Sequence, residues 1–142
     1  MTDKMDETKT FAPKFDNDGL MPAMAIEHST GTPLMLAFVN QAALQKSLQS
    51  GYACFWSRSR QAFWQKGETS GNRLKLIDIL IDCDQDSICM MVEMEGVKAA
   101  CHTGRKSCYY RKLTSNDGEG QDLSLQFTDN QPLFDPEKVY NK

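Results

Sequence analysis

Three aspartates alternate with other residues in the segment Asp82-Cys83-Asp84-Gln85-Asp86. On an extended strand, residues two apart point to the same face, so Asp82, Asp84 and Asp86 would share one face. Cys83 would then point to the opposite face. Three carboxylates side by side repel one another unless a cation or strong donors neutralise them, and their hard oxygens suit Mg²⁺ or Ca²⁺. The alternative is a solvated hairpin tip, where aspartate is common, and the spacing does not choose between the two.

A second group of reactive side chains lies in the segment Cys101-His102-Thr103-Gly104-Arg105-Lys106-Ser107-Cys108. The basic side chains would lower the pKa of a neighbouring thiol, and thiolates are soft ligands suited to Zn²⁺. Cys83 is a natural third ligand, and three protein ligands leave a position open for water, as in catalytic zinc sites. His102 is then placed for proton transfer. The alternatives are three small buried residues, or one catalytic thiol working with His102.

Two more segments carry groups that commonly bind phosphate, Trp56-Ser57-Arg58-Ser59-Arg60 and Lys66-Gly67-Glu68-Thr69-Ser70-Gly71. Guanidinium groups, hydroxyls and glycine-permitted backbone amides form phosphate cradles, and Trp56 or Trp64 could stack on a base. Either segment alone is more commonly a solvated charged turn. The two segments together with Thr103, Arg105, Lys106 and Ser107 carry enough positive charge for a nucleotide substrate with two phosphates. The residues predicted to bind the substrate are Trp56, Ser57, Arg58, Ser59, Arg60, Lys66, Glu68, Thr69, Ser70, Thr103 and Arg105.

The composition excludes several other classes of protein. The chain has 142 residues, a net charge of -3 and no basic tract, so no nucleic-acid partner is indicated. Its apolar stretches are too short to span a bilayer, which predicts no membrane association. Five cysteines are an odd number, and the polar start shows no secretion signal, so a disulfide framework is not indicated. These features predict a cytoplasmic protein with reduced thiols.

The elements that must position these residues can be predicted from the pattern of apolar residues and turn signals. A helix is expected at 41–49, with Asn40 as its N-cap and Gly51 as its C-cap. The acidic segment would form the tip of a hairpin, and 98–112 would contain short β-like pieces. The fold class is predicted as α+β, a predominantly antiparallel, barrel-like sheet with one short helix. The predicted strands are 21–27, 34–39, 52–56, 62–65, 73–81 and 88–94.

Three regions are predicted along the chain. Residues 1–18 form a polar N-terminal arm that Phe11 and Phe15 could dock onto the rest. Residues 19–113 form the domain that carries all the motifs. Residues 114–142 form a C-terminal extension, with a linker-like stretch at 115–120 and a possible edge strand at 122–128.

The four motifs, in this order, closely resemble the phosphoribosyl-AMP cyclohydrolase family. The resemblance runs from about Leu34 to Arg111 and includes the strand and helix that precede the motifs. One departure is Gln85, which stands at a turn position where the family often has glycine. The resemblance implies the third step of histidine biosynthesis, in which the adenine ring of 1-(5-phosphoribosyl)-AMP is opened by hydrolysis.

The resemblance also implies metal ligands and an assembly. His102 would take part in catalysis, and the zinc ligands would come from both subunits of an intertwined homodimer. The implied Zn²⁺ ligands are Cys83, Cys101 and Cys108. The implied Mg²⁺ ligands are Asp82, Asp84 and Asp86.

Two other functions remain as alternatives. The first is a zinc hydrolase that acts on another cyclic amidine or nucleotide; the His-x-Glu and Pro-Cys-x-x-Cys pattern of cytidine-type deaminases is absent. The second is a zinc-storing or zinc-stabilised interaction protein with structural thiolates. A closed site of four ligands would favour that second function, whereas the sequence offers three clear ligands and the adjacent His102.

Overall fold

The fold is taken from a computed structural model, which describes residues 7–129 and 131–140. The α+β class is confirmed, and the predicted strands and helix lie within two residues of the observed ones. Within the described ranges, no helix is long and apolar enough to cross a membrane. The elements are β1 Met21–Glu27, β2 Pro33–Val39, α1 Gln41–Ser50, β3 Cys54–Ser57, β4 Ala62–Gln65, β5 Leu74–Ile81, β6 Ile88–Met94, β7 Arg111–Ser115, β8 Leu123–Phe127 and α2 Pro136–Tyr140.

Six strands form one sheet in the order β4-β3-β2-β1-β6-β5. The sheet curves into a half-barrel. Residues just before β3 pair with β5 at the far end: Tyr52 forms a bridge with Lys75, and the Ala53 N–H donates to the Leu74 carbonyl at 2.9 Å. The pairs are antiparallel except β1 with β6, which is parallel. That pair joins two hairpins distant in sequence, so no local pattern indicates its direction.

The core lies on the face of the sheet that α1 covers. Alternate residues of β1 and β6 are buried, as expected for strands with one face on the core. Asn40 accepts a hydrogen bond from the Ala43 N–H at 2.8 Å, and Gly51 ends the helix with a φ of 80°. The buried Ser47 hydroxyl accepts from the Cys54 N–H at 2.9 Å, which ties α1 to β3.

Residues 98–110 contain no strand, so the predicted β-like pieces are wrong there. Lys98 and Gly104 have φ values of 61° and 89°, outside the range of strand backbone. The backbone bonds instead within the segment: the Ala100 N–H donates to the Lys106 carbonyl at 2.9 Å, and the Cys101 N–H donates to the Arg105 carbonyl at 3.1 Å. We call residues 101–108 the thiol loop.

The C-terminal extension contains its own two-stranded antiparallel sheet, β7 with β8. The edge strand predicted at 122–128 is therefore confirmed. The prediction of a linker at 115–120 is wrong, because these residues form the turn of this hairpin. Asp117 holds the turn: its carboxylate accepts from the Ser115 hydroxyl at 2.9 Å and from the N–H groups of Glu119 and Asp122 at 2.9 and 3.0 Å.

The N-terminal arm is anchored on the turn between β5 and β6. The Gln85 side chain accepts from the Ala12 N–H at 2.7 Å and donates to the Thr10 carbonyl at 3.2 Å. The predicted docking of Phe15 is confirmed, because its ring packs against the core. Phe11 contacts a shallow apolar groove but stays 54% exposed. Gln85 has a φ of 59°, a conformation that favours glycine, and its buried amide explains a residue larger than glycine at this position.

Replacing Gln85 by glycine should release the arm without unfolding the domain. Two side-chain hydrogen bonds worth about 1 kcal/mol each are lost, while about 1 kcal/mol of left-handed backbone strain is relieved. We expect much faster amide hydrogen exchange at Ala12, while the net loss of about 1 kcal/mol should lower the melting temperature by only a few degrees.

The matched control is Gln61→Gly, because Gln61 has a φ of 50° and lies in an exposed turn, where its side chain donates to the Arg58 carbonyl and not to the described part of the arm. This variant relieves similar strain and should leave exchange at Ala12 as in the wild type. Continued protection of the Ala12 amide in Gln85→Gly would show that Gln85 does not hold the arm.

Candidate active site

The three aspartates converge because they lie in a turn, which corrects the prediction from strand alternation. β5 ends before Asp82, and residues 82–87, which we call the acidic turn, are not extended. The Asp82 carboxylate shapes this turn by accepting hydrogen bonds from the N–H groups of Asp86 at 2.9 Å and Ser87 at 3.2 Å. One oxygen from each of Asp82, Asp84 and Asp86 lies within 4.8 Å of the other two. The predicted hairpin tip is thus confirmed, and its carboxylates face a common point.

Hydrogen bonds among these carboxylates separate their pKa values. Burial raises the pKa of Asp82, but hydrogen bonds from Asp86 and Ser87 outweigh it and hold that pKa far below its usual range. The pKa of Asp86 is raised to about 6, because its side-chain hydrogen bonds to Asp82 and Asp84 require a proton. A cation or a proton between the carboxylate oxygens of the acidic turn is therefore stabilising. Three hard oxygens in this arrangement fit a divalent cation such as Mg²⁺.

The thiol loop places the Cys101 and Cys108 thiols close enough to interact. Cys101 is buried, and the Thr103 hydroxyl donates to its sulfur at 3.1 Å. The pKa of Cys101 is lowered to about 5, chiefly because the Cys108 thiol donates a hydrogen bond to it. Holding that donated proton raises the pKa of Cys108. A thiolate is therefore present at neutral pH in a pair that could hold a soft metal ion.

Hydrogen bonds to the sheet fix the position of this loop. The Cys108 N–H donates to the Leu34 carbonyl on β2 at 2.7 Å, and the Ser107 hydroxyl donates to the Pro33 carbonyl at 2.7 Å. The Lys106 ammonium lies 2.8 Å from the Glu27 carboxylate on β1. That ammonium lowers the pKa of Glu27. The thiol loop is thus attached to two neighbouring strands.

Cys83 does not join the thiol pair within one chain. It is exposed on the acidic turn, and among residues 7–129 and 131–140 the only group of three possible metal-binding side chains is the aspartate cluster. One copy of the chain therefore presents two of the three predicted zinc ligands together. The third lies at a separate place on the surface.

A cleft of about 370 Å³ opens beside the thiol loop, and we call it the Lys66 cleft. His102 and Cys108 line it, so the predicted catalytic histidine and one predicted zinc ligand share this space. Lys66 is buried here; burial lowers its pKa, and the nearby thiols of Cys108 and Cys101 oppose that shift. The predicted substrate-binding residues that line the cleft are Arg60, Lys66, Glu68, Thr69 and Ser70.

The remaining predicted substrate-binding residues lie outside this cleft. Trp56, Ser57, Arg58 and Ser59 line a separate shallow surface, where the Arg58 guanidinium stacks 3.9 Å from the Phe38 ring. The Thr103 hydroxyl donates a hydrogen bond to the Cys101 sulfur, and the Arg105 guanidinium donates to the Asp129 carbonyl at 3.0 Å. Their roles in binding stay predictions.

Two aromatic residues also line the Lys66 cleft, Trp64 and Tyr140. Trp64 pairs in register with Phe55, which is buried, so a correct alignment of β3 with β4 could have placed it on this face. Tyr140 lies in the C-terminal extension, far from every motif. No pattern in the sequence links it to the site.

Comparison with known proteins identifies one family. The family model for phosphoribosyl-AMP cyclohydrolase matches residues 35–110. A phosphoribosyl-AMP cyclohydrolase of Bradyrhizobium diazoefficiens is 45% identical over 139 residues, covering 98% of this chain and 96% of that protein. One from Nitrobacter hamburgensis is 44% identical and covers 97% of this chain and 91% of its own length. One from Chlorobium limicola is 48% identical, covering 91% of this chain and 88% of that protein.

These similarities define the class first: the chain is an enzyme, and a hydrolase. Similarity at this level over nearly the whole chain also defines the family. The chain belongs to the phosphoribosyl-AMP cyclohydrolase family, whose reaction is part of histidine biosynthesis.

Proposed function

We propose that this enzyme opens the adenine ring of 1-(5-phosphoribosyl)-AMP by zinc-dependent hydrolysis of the bond between N1 and C6. The observation that carries the proposal is the Lys66 cleft, in which His102 and Cys108 lie beside basic and hydroxyl side chains. His102 could transfer a proton, Cys108 could bind a soft metal ion, and the basic and hydroxyl side chains could bind phosphate, all within this cleft. The names of the relatives supply the substrate.

The donor atoms fit a zinc ion if a second copy of the chain supplies the third thiol. Cys101 and Cys108 lie close together, and the exposed Cys83 is accessible to the thiol pair of another copy. Exposed apolar side chains favour such an association: Leu36 is 50% exposed, Leu80 56% and Ile81 40%. Zinc bound in this way would lower the pKa of a bound water to about 7. We infer an intertwined homodimer, located in the cytoplasm.

His102 is the proposed proton carrier. In the reaction, the oxygen of water becomes the carboxamide oxygen at C6, the C6–N1 bond breaks, and N1 gains a proton. An imidazole can accept a proton and return it near neutral pH. His102 is exposed to the Lys66 cleft and next to the buried Cys101, so it could reach both the water and N1.

The charged groups of the cleft suit the two phosphates of the substrate. Arg60 and Lys66 supply positive charge, and Thr69 and Ser70 supply hydroxyl donors at the same wall. The acidic turn is the proposed Mg²⁺ site, formed by Asp82, Asp84 and Asp86. A cation bound there would neutralise phosphate charge or orient the substrate.

The direct test is incubation of the purified full-length protein with 1-(5-phosphoribosyl)-AMP. We expect ring opening, followed by ultraviolet absorbance, and loss of at least about 90% of the rate after zinc chelation, with recovery when Zn²⁺ is returned. Absence of turnover at every metal loading would rule out this substrate. Full turnover in the apoprotein would rule out the zinc dependence.

The zinc site is tested by Cys101→Ala. Because Cys101 would be a ligand, the variant should lose zinc and turnover together, measured by atomic absorption and by the same assay. Cys54→Ala is the matched control, since Cys54 is buried in β3 away from the thiol loop, and it should keep its zinc. Stoichiometric zinc in Cys101→Ala would contradict the assignment.

The role of His102 is tested by His102→Ala. We expect normal zinc content but a kcat lower by about 10²- to 10⁴-fold, as is typical when a general acid–base group is removed. His28→Ala is the control, because His28 follows β1 and lies outside the Lys66 cleft. A kcat close to that of the wild type would exclude proton transfer by His102.

A further inference from the structure

The C-terminal segment, residues 131–140, is seated on the thiol loop. The Leu133 N–H donates to the Gly104 carbonyl at 2.7 Å. Gly104 has no room for a side chain, because a Cβ there would lie 2.4 Å from the Phe134 carbonyl oxygen. Just before the segment, the Asp129 carbonyl accepts from the Arg105 guanidinium at 3.0 Å. The segment therefore has a defined position beside the residues of the proposed active site.

This seating carries Tyr140 to the Lys66 cleft. Tyr140 is the last residue of α2, and its ring packs against Phe134 with the centroids 6.0 Å apart. The side chain lines the cleft together with His102 and Lys66, and Tyr140 remains 38% exposed. An aromatic surface is thus held at the wall of a cleft that also contains cationic groups.

The other aromatic residue of the cleft is less available for a ligand. The Trp64 ring packs against the buried Phe55 ring at 5.1 Å and against the core. Tyr140 keeps an exposed surface, and in the described part of the chain its ring packs against the Phe134 ring alone. Of the two, Tyr140 is therefore the better stacking partner for a planar ligand.

We propose that Tyr140 is a substrate-binding residue whose ring stacks on the purine base; this inference rests on the proposed function for the identity of the substrate. Aromatic side chains commonly bind bases by stacking on their faces. The N1-substituted purine carries positive charge in its amidinium form, which the electron-rich face of a phenol attracts. Tyr140 lies outside residues 35–110, to which the family model is confined.

The test compares a ligand that has the base with one that lacks it, AMP and ribose 5-phosphate, by calorimetry on the full-length protein. In Tyr140→Ala, the Kd of AMP should rise about tenfold or more, as expected for loss of base stacking. The Kd of ribose 5-phosphate should stay within about twofold of the wild-type value. Tyr140→Phe keeps the ring and should bind AMP about as tightly as the wild type.

Leu133→Ala is the matched control, since Leu133 is in the same segment, is 51% exposed and does not line the cleft. It should bind both ligands normally. Equal weakening of both ligands in Tyr140→Ala would overturn the inference, because it would show that the residue only supports the fold of the site. Unchanged AMP binding, or a wild type that does not bind AMP, would overturn it too.

The two proposals can fail separately. If the wild type does not open the ring of 1-(5-phosphoribosyl)-AMP but Tyr140→Ala shows the base-specific loss with AMP, the proposed function falls and the role of Tyr140 stands. If turnover occurs and Tyr140→Ala has an unchanged KM, the role of Tyr140 falls and the function stands. A raised KM with little change in kcat supports both.

Discussion

The attachment of the thiol loop to the sheet is the constraint on which the proposed active site depends. The loop has no regular secondary structure, so the bond from the Cys108 N–H to the Leu34 carbonyl and the ion pair of Lys106 with Glu27 determine where it lies. With the loop in this position, Cys101 lies close to Cys108 and His102 lines the Lys66 cleft. The C-terminal segment then bonds to the loop at the Gly104 carbonyl. The thiol pair, the Lys66 cleft and the C-terminal segment thus all depend on the position of one short loop.

The same fold keeps the two groups of reactive side chains apart. The acidic turn is at the tip of the β5–β6 hairpin, and its Gln85 side chain anchors the N-terminal arm. Cys83 lies on this turn and not beside the thiol pair. Within one chain, the hairpin tip that carries Cys83 therefore does not complete a three-ligand site with the thiol pair among the described residues. Because Cys83 lies away from Cys101 and Cys108 in one chain, the proposed zinc site would need ligands from both copies of the proposed homodimer.

Local structure was predictable where a local pattern determines it. Asn40, the small apolar face of α1 and Gly51 give its two ends, and the turn residues after Ile81 give the hairpin. Three local predictions were wrong: residues 98–110 contain no strand, residues 115–120 form a hairpin turn and not a linker, and the aspartates converge through the turn and not through strand alternation. In the first and third cases backbone with positive φ, at Lys98 and Gln85, replaces the extended geometry that the apolar and polar pattern suggested.

By itself, the sequence determined the α+β class, the elements of the sheet, the family and the residue types of the site, because these depend on local spacing and on ordered motifs. The tertiary structure alone decided that β1 and β6 pair in parallel, that Gln85 holds the arm and that Tyr140 lines the Lys66 cleft. Each of these joins residues distant in the chain. Their positions follow from packing of the whole domain, which no single segment encodes.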